Sequence, residues 1–282
     1  MIELPNANDW IVRNSDPNSL ERIEAFFNDH AYESHRHDTF AIGRTLTGVQ
    51  SFHYRGEMKH SLPGMTMVLH PDEKHDGESG TRDGFRYRMV YVEPATLQEI
   101  MKGRPLPFFE NGLSQDIRLF KATDVLLQGV DQHIDPLEKQ DALYDLATTL
   151  YEISDKKQRT SHSYDYVAAE RAREFIHASL FENISLDDIE KNIGRDRWSV
   201  SRDFRLLFGT SPHRYMTMRR LEVVKSCLMY GESLTQASLI AGFFDQSHMT
   251  RHFLKAFGLT PARWRMINKL SSLNKLFKSQ PV

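Results

Sequence analysis

One stretch of this chain is written twice, and that duplication constrains its fold more than any other feature. Residues 185–215 (SLDDIEKNIGRDRWSVSRDFRLLFGTSPHRY) and 233–264 (SLTQASLIAGFFDQSHMTRHFLKAFGLTPARW) follow one pattern. Ser185-Leu186 matches Ser233-Leu234, and Gly194 matches Gly242, at an offset of 48. One extra residue in the second copy then makes the offset 49, pairing Asp196 with Asp245, Arg202 with Arg251, Phe204 with Phe253, Phe208 with Phe257, Gly209 with Gly258 and Pro212 with Pro261. Each copy reads as a Ser N-cap and short helix, a turn at Gly, an Asp N-cap, and a longer helix stopped by Gly. Two helices joined by a tight Gly-containing turn form a helix-turn-helix, so the pattern predicts two of them. Between the copies, Ser211 caps a helix with Pro212 in its first position, and Gly231 ends it. About 19 residues at 1.5 Å each give a rod of roughly 28 Å. Such a rod could hold two recognition helices in successive major grooves, about 34 Å apart, which favours asymmetric DNA sites.

Charge agrees with a nucleic-acid partner without proving one. The net charge of −2 hides an asymmetry: residues 1–166 carry 18 Lys and Arg against 27 Asp and Glu, and residues 167–282 carry 18 against 11. Halves of opposite sign suggest two domains, the basic one facing something anionic. Apolar residues at 40% and charged residues at 26% suit a packed core rather than disorder. The single cysteine, Cys227, excludes a disulfide framework and any multi-cysteine metal site; among apolar neighbours it reads as an inert core thiol. No apolar run reaches the roughly 18–20 residues that cross a bilayer. The start, MIELPNANDW, lacks the basic and apolar regions of an export signal, so a cytoplasmic protein is expected. No P-loop, dinucleotide fingerprint or nucleophile with a matched base appears, so no catalytic residue and no cofactor is assigned.

From about 30 to 95 the text is strand-like, with β-branched and aromatic runs such as TFAIGRTLTG and FRYRMVYVEP punctuated by Gly and Pro. Strands at 8–12-residue spacing predict a small antiparallel barrel or sandwich. From about 95 to 155 the pattern turns helical. The apolar residues Leu119, Leu126, Leu127, Leu143, Leu146 and Leu150 of that region read equally as core and as a dimer surface. The polar stretch SDKKQRTSHS opens a linker placed at 154–166. The expected division is therefore 1–153, a linker, and a helical domain over 167–282 with a core of its own.

At AGFFDQSHMTRHFLKAFGLTPARWR (241–265) and SRDFRLLFGTSPHRYMTMRRL (201–221) the chain resembles the AraC/XylS family of bacterial transcription regulators. HRHDTFAIGRTLTG and LPGMTMVLHPDEKHDG resemble, more loosely, the cupin-like effector domain common in that family. The resemblance implies a two-domain α+β protein: an N-terminal antiparallel cupin-like β-barrel with following helices, and a C-terminal all-α double helix-turn-helix. It implies a regulator that binds double-stranded DNA, answers to a small-molecule effector in the barrel and forms a homodimer, with RNA polymerase as a further partner.

Helix periodicity places the DNA-reading residues. In the first recognition helix (196–208), Val200, Phe204 and Leu207 form a buried stripe, which leaves Arg197, Trp198, Ser201 and Arg202 outside near the N-terminal end, where base edges are met. Trp198 reads either as a contact to DNA or as packing against a neighbouring helix. Arg202 has the reach for bidentate contact to guanine, or for an ion pair with Asp203 or Asp196. In the second (245–257), Met249, Phe253 and Phe257 are buried, and Gln246, Ser247, Thr250 and Arg251 face out. His248 and His252 read as solvated surface. Arg214, Arg219 and Arg220 on the linking helix stay ambiguous, though the resemblance implies that Arg220 braces the fold through an ion pair.

Seven histidines fall between residues 30 and 75. His35-x-His37 on a strand puts two rings on one face, and His75 could converge from a later strand. That is the spacing of a cupin metal site, suited to iron or zinc. The metal-binding pattern also wants a Glu four or five residues beyond the second His, where this chain has Ala41 and Ile42, so no metal is assigned. Instead His35, His37, His75 and Tyr87 are expected at the barrel mouth around a small-molecule effector, with Arg44 meeting an anionic one. Alternation in FRYRMVYV puts Tyr87, Met89 and Tyr91 on one face and Arg86 and Arg88 on the other. The alternative reading is a metal-dependent cupin enzyme with a helical, partner-binding tail.

Overall fold

The computed structural model describes residues 9–14, 20–154 and 164–268. Nine strands precede the first helix: β1 (Trp10–Arg13), β2 (Glu21–Phe27), β3 (His30–His35), β4 (Phe40–Thr47), β5 (Gln50–Tyr54), β6 (Glu57–Ser61), β7 (Thr66–Leu69), β8 (His75–Ser79) and β9 (Phe85–Val92). A short β10 (Leu113–Ser114) joins later. Two antiparallel sheets result, in the orders β1-β2-β9-β4-β7-β10 and β3-β8-β5-β6. The turn from β4 into β5 needs Gly48, at φ +72°, because a Cβ there would sit 2.2 Å from the Gly84 carbonyl oxygen.

Period-2 alternation decides which side chains enter the barrel. On β9, Phe85, Tyr87 and Met89 join an interior cluster with Phe27, Phe52, Tyr54 and Met67. Val90 and Val92, of the opposite parity, join Phe40 and Ile42 of β4 on the outer face of the larger sheet. Three helices cover that face: α1 (Pro94–Met101), α2 (Ile117–Ala122) and α3 (Pro136–Ile153). Leu119, Leu126, Leu127, Leu143, Leu146 and Leu150 all lie in this layer, buried against the sheet, so they are core and not a dimer surface.

The C-terminal half consists of α4 (Tyr166–Ala178), α5 (Leu186–Ile193), α6 (Arg197–Phe208), α7 (Pro212–Met229), α8 (Leu234–Ile240) and α9 (Gln246–Phe257), followed by a helical segment over 261–268. The repeat appears as drawn from the sequence. Ser185, Asp196, Ser211, Ser233 and Asp245 each accept a backbone N–H as N-caps, and Gly194, Gly209 and Gly258 close α5, α6 and α9 in the left-handed conformation. Most of the expected linker, residues 155–163, lies outside the described residues.

The expectation of a self-contained C-terminal core fails for the second unit. The first helix-turn-helix packs Val200, Phe204 and Leu207 with Ala169, Ala172 and Ile176 of α4, and Ala95 of α1 joins them. In the second, Met249, Phe253, Leu259, Trp264 and Ile267 belong to the same apolar cluster as the barrel interior. Polar contacts follow the same seam. Arg219 of α7 meets Asp38 at 2.9 Å and Glu93 at 2.5 Å, Lys225 meets Glu21 at 3.3 Å, Arg214 pairs with Asp72, and Gln98 donates to the Leu207 carbonyl at 2.9 Å. Burial opposes the charge on Arg219, but Asp38, Glu93 and Glu222 around it outweigh that and raise its pKa. Arg220 does brace the fold, through the carbonyls of Leu180 and Glu182, and among the described residues it makes no ion pair.

Arg219→Ala would leave the Asp38 carboxylate, 2% exposed, buried without its counter-ion. The expected loss is about 3–5 kcal/mol, read as a lower urea midpoint. A change under about 0.5 kcal/mol, the usual span of surface substitutions, would show that the seam does not hold the halves together.

Candidate DNA-reading face and barrel cavity

The Asp N-caps fix where α6 and α9 begin, and so which side chains stand at their N-terminal ends. On α9, Gln246, Ser247 and Arg251 are exposed and Thr250 is half-buried, over a buried stripe of Met249 and Phe253 with Phe257 partly covered. The Gln246 side chain accepts from the Thr235 hydroxyl at 2.8 Å. Arg251 has no recorded hydrogen bond or ion pair among the described residues. His248 and His252 are not solvated surface: their Nε2 atoms lie 2.9 Å apart, and both rings pack on Phe243. Burial, with the positive field of His248, His213, Lys255 and Arg214, brings the His252 pKa down to about 4.

The first reader is less free. Trp198 is 65% exposed, so it does not pack into a neighbouring helix, and the Arg197 guanidinium lies 5.4 Å from its ring centre. Arg197 also pairs with Asp187 and approaches Glu190 at 3.9 Å. Arg202 makes the ion pair with Asp203, at 3.0 Å, and lines a cleft between α6 and the barrel with Arg55, Glu73 and Phe108. Ser201 does not face out as expected. It is 4% exposed and its hydroxyl bonds Arg205, because it follows Val200 on the flank of the stripe that α6 buries. A three-residue stripe was too narrow an estimate of the buried face, which also takes in Asp203 and Phe208.

Four of the five expected effector residues come together. His35, His37, His75 and Tyr87 line one cavity of about 70 Å³. His35 ends β3 and His37 lies just beyond it, yet the rings still converge: the centroids of His35 and His75 are 4.3 Å apart and those of His37 and His75 4.9 Å. Burial lowers the pKa of His35 and His37 well below the usual histidine range, and that of His75 to about 4, so all three rings are neutral near pH 7. Tyr87 hydrogen-bonds Tyr32, oxygen to oxygen at 2.9 Å, and burial raises the pKa of both phenols. Arg44 does not reach the cavity. It shares the strand parity of Phe40 and Ile42 and so faces the helical layer, paired to Asp124 at 2.7 Å and stacked 3.5 Å from the Phe120 ring centre.

Sequence reasoning missed the other wall of the cavity. Met218, Glu222 and Lys225 of α7, Ala256 and Phe257 of α9, and Trp264 line it opposite the strands. Tyr91, which alternation put on one face with Tyr87, also lines it, and Tyr32 could have been found the same way. Nothing local in α7 distinguishes a side facing a barrel from one facing its own helices.

Residues 17–147 match the family described as AraC-like ligand binding domain, and residues 190–267 match one described as helix-turn-helix domain. The chain is 25% identical to the HTH-type transcriptional regulator YbfI of Bacillus subtilis (strain 168) over 223 residues, 77% of this chain and 81% of YbfI. It is 35% identical to the probable transcription factor PqrA of Proteus vulgaris over 85 residues, 30% of this chain and 70% of PqrA. Among solved structures it is similar to ToxT from Vibrio cholerae, with a TM-score of 0.61 and 12% identity over 93% of this chain and 97% of ToxT. That identity speaks for the fold alone. The reading as a cupin enzyme finds no support among these relatives.

Because Arg251 is exposed and uncommitted, Arg251→Ala is expected to weaken binding to a specific site by about 1–3 kcal/mol and to random DNA far less. Equal losses in gel-shift titrations on both DNAs would place Arg251 on phosphate only.

Proposed function

The chain belongs to the AraC/XylS family of transcription regulators, and from that premise we propose that α6 and α9 enter successive major grooves of one asymmetric DNA site under the control of a small effector in the barrel. The observation that carries this is the pair of Asp-capped helices of 12 residues each, whose N-terminal turns carry exposed side chains while α7 separates them. At 18 residues, α7 spans about 27 Å. Trp198, Gln246, Ser247 and Arg251 are the leading base readers in this reading. Arg197 and Arg202 join them by exchanging carboxylate partners for DNA, and Thr250 flanks them. The working division remains 1–153 for effector binding and 167–282 for DNA binding, in the cytoplasm.

The effector site is the cavity holding His35, His37, His75 and Tyr87. Wild-type ToxT from V. cholerae strain SCE256 has been solved bound to unsaturated fatty acid, which supports ligand binding by a protein of this fold. The cavity here, about 70 Å³, is far below the roughly 300–1,000 Å³ of drug-sized sites, so its ligand is small. Homodimerisation falls to α3, whose outer face exposes Leu137, Tyr144 and Tyr151 seven residues apart, one stripe along the helix.

Footprinting the full-length protein on the DNA flanking its own gene, at two salt concentrations, tests the double reader. The expected result is protection over about two major-groove turns that weakens as salt rises. Protection of one turn only would remove α6 or α9 from the interface. For the dimer, sedimentation should give twice the chain mass, falling to one with Tyr144→Glu; an unchanged mass would acquit α3.

A further inference from the structure

The barrel cavity holds a donor set that a purely organic effector does not explain. His35, His37 and His75 each place Nδ1 against a backbone carbonyl oxygen, of Glu33 at 2.8 Å, Thr39 at 2.8 Å and Glu73 at 3.1 Å. A carbonyl only accepts, so each Nδ1 carries the ring proton, and each neutral imidazole keeps a bare lone pair on Nε2. One ring nitrogen from each histidine lies within 4.8 Å of the other two. Nδ1–H donation to a carbonyl is how proteins orient imidazoles that ligate through Nε2. Two further buried atoms of residues lining the same cavity, Gln50 Oε1 and Trp264 Nε1, have no hydrogen-bond partner among the described residues, which fits an occupant carrying water.

We propose that His35, His37 and His75 bind a divalent first-row transition-metal ion, and that this ion is the effector which sets how α9 is held. The inference rests on the regulator reading above and names the ligand class of its cavity. Ala41 lines the cavity where a cupin metal site has its carboxylate, so three nitrogens and open positions are on offer. Neutral imidazoles of this kind suit zinc, cobalt or ferrous iron, and not magnesium or calcium, which take oxygen ligands. A volume of about 70 Å³ accommodates an ion with a few waters, each needing roughly 10–15 Å³ on this measure.

The path to DNA is short and made of backbone. The strand carrying His35 supplies the Glu33 N–H to the Gly258 carbonyl at 3.3 Å, and the Arg36 N–H donates to the Lys255 carbonyl at 3.0 Å. These are carbonyls at the C-terminal end of α9, which the helix itself leaves without donors. Gly258 sits at φ +66° so close to this strand that a Cβ would lie 2.7 Å from the Glu33 oxygen and 2.9 Å from His35 Nδ1. Metal–nitrogen bonds of about 2.1 Å in a tetrahedral set hold their nitrogens about 3.4 Å apart. Loading therefore draws the three rings inward, and β3 can follow only by moving against the end of the second recognition helix.

The test uses the full-length protein stripped with a chelator. Cobalt(II) titration, read by its visible absorption, and zinc dialysis, read by elemental analysis, should each give one ion per chain. His37→Asn and His75→Asn should lose it, while His252→Asn, which breaks the histidine pair on α9, should keep it. On the footprinted DNA, zinc should change the affinity of the wild type by about 5- to 150-fold and leave His37→Asn unmoved, with circular dichroism confirming that each variant is folded. Wild-type protein that takes up no cobalt or zinc, or a bound ion lost in His252→Asn instead, overturns the site. A bound ion with unchanged DNA affinity overturns the coupling. Absence of any footprint with and without metal would sink the regulator reading itself, whereas DNA binding without metal uptake would sink only this proposal.

Discussion

Arg219 lies where three parts of the chain meet: the loop after β3 through Asp38, the start of α1 through Glu93, and α7, which carries it. Asp38 is nearly sealed from water, so its charge is tolerable only with a partner held in place. That requirement reaches outward. α7 must lie across the barrel to deliver the guanidinium, and once it does, Met218, Glu222 and Lys225 become a wall of the cavity. The same helix separates the two helix-turn-helix units, so one rod serves as spacer on its outer side and as lid on its inner side.

The two readers are consequently unequal, although their sequences repeat. α6 packs on α1 and α4, and its Arg197 and Arg202 are already paired with carboxylates. α9 keeps Arg251 open to solvent but hands its last carbonyls to a barrel strand. A helix C-terminus needs donors for its final carbonyls, and here the donors come from the domain that holds the cavity. The unit whose outer face is free is also the unit whose far end is tied to the strand that carries His35 of the cavity; in the proposed function, an effector there would not need to touch DNA-contacting residues to influence them.

The interior chemistry follows from depth. Three neutral histidines and a hydrogen-bonded tyrosine pair sit where charged forms are penalised by desolvation, while the cations of the seam, Arg214, Arg219 and Lys225, each face a carboxylate. A small, nitrogen-rich cavity beneath a charged lid discriminates by chemistry more than by shape.

How much of this was legible depended on the range of the interaction involved. Caps, turns and periodicity are local, and from them the repeat, its Ser and Asp caps, the closing glycines and the alternation of Tyr87 and Met89 against Arg86 and Arg88 were readable from the chain alone, as were the convergence of His35 and His37 with His75 and the buried stripe of α6. Ser201 was misplaced because the width of a buried helical face depends on how many partners surround it. Arg44 was misplaced because parity tells which residues share a face, not which face looks inward. The sequence by itself determined the elements, their order and the doubled reader, since each rests on hydrogen bonds and spacings within a few residues. Only the tertiary structure decided that α7 closes the barrel, that the second helix-turn-helix shares the barrel's core, and that a strand caps the recognition helix. Those contacts join residues more than 100 positions apart, such as Arg219 with Glu93, Asp38 with Arg219 and Glu33 with Gly258, and no local pattern encodes which distant surface will bury them.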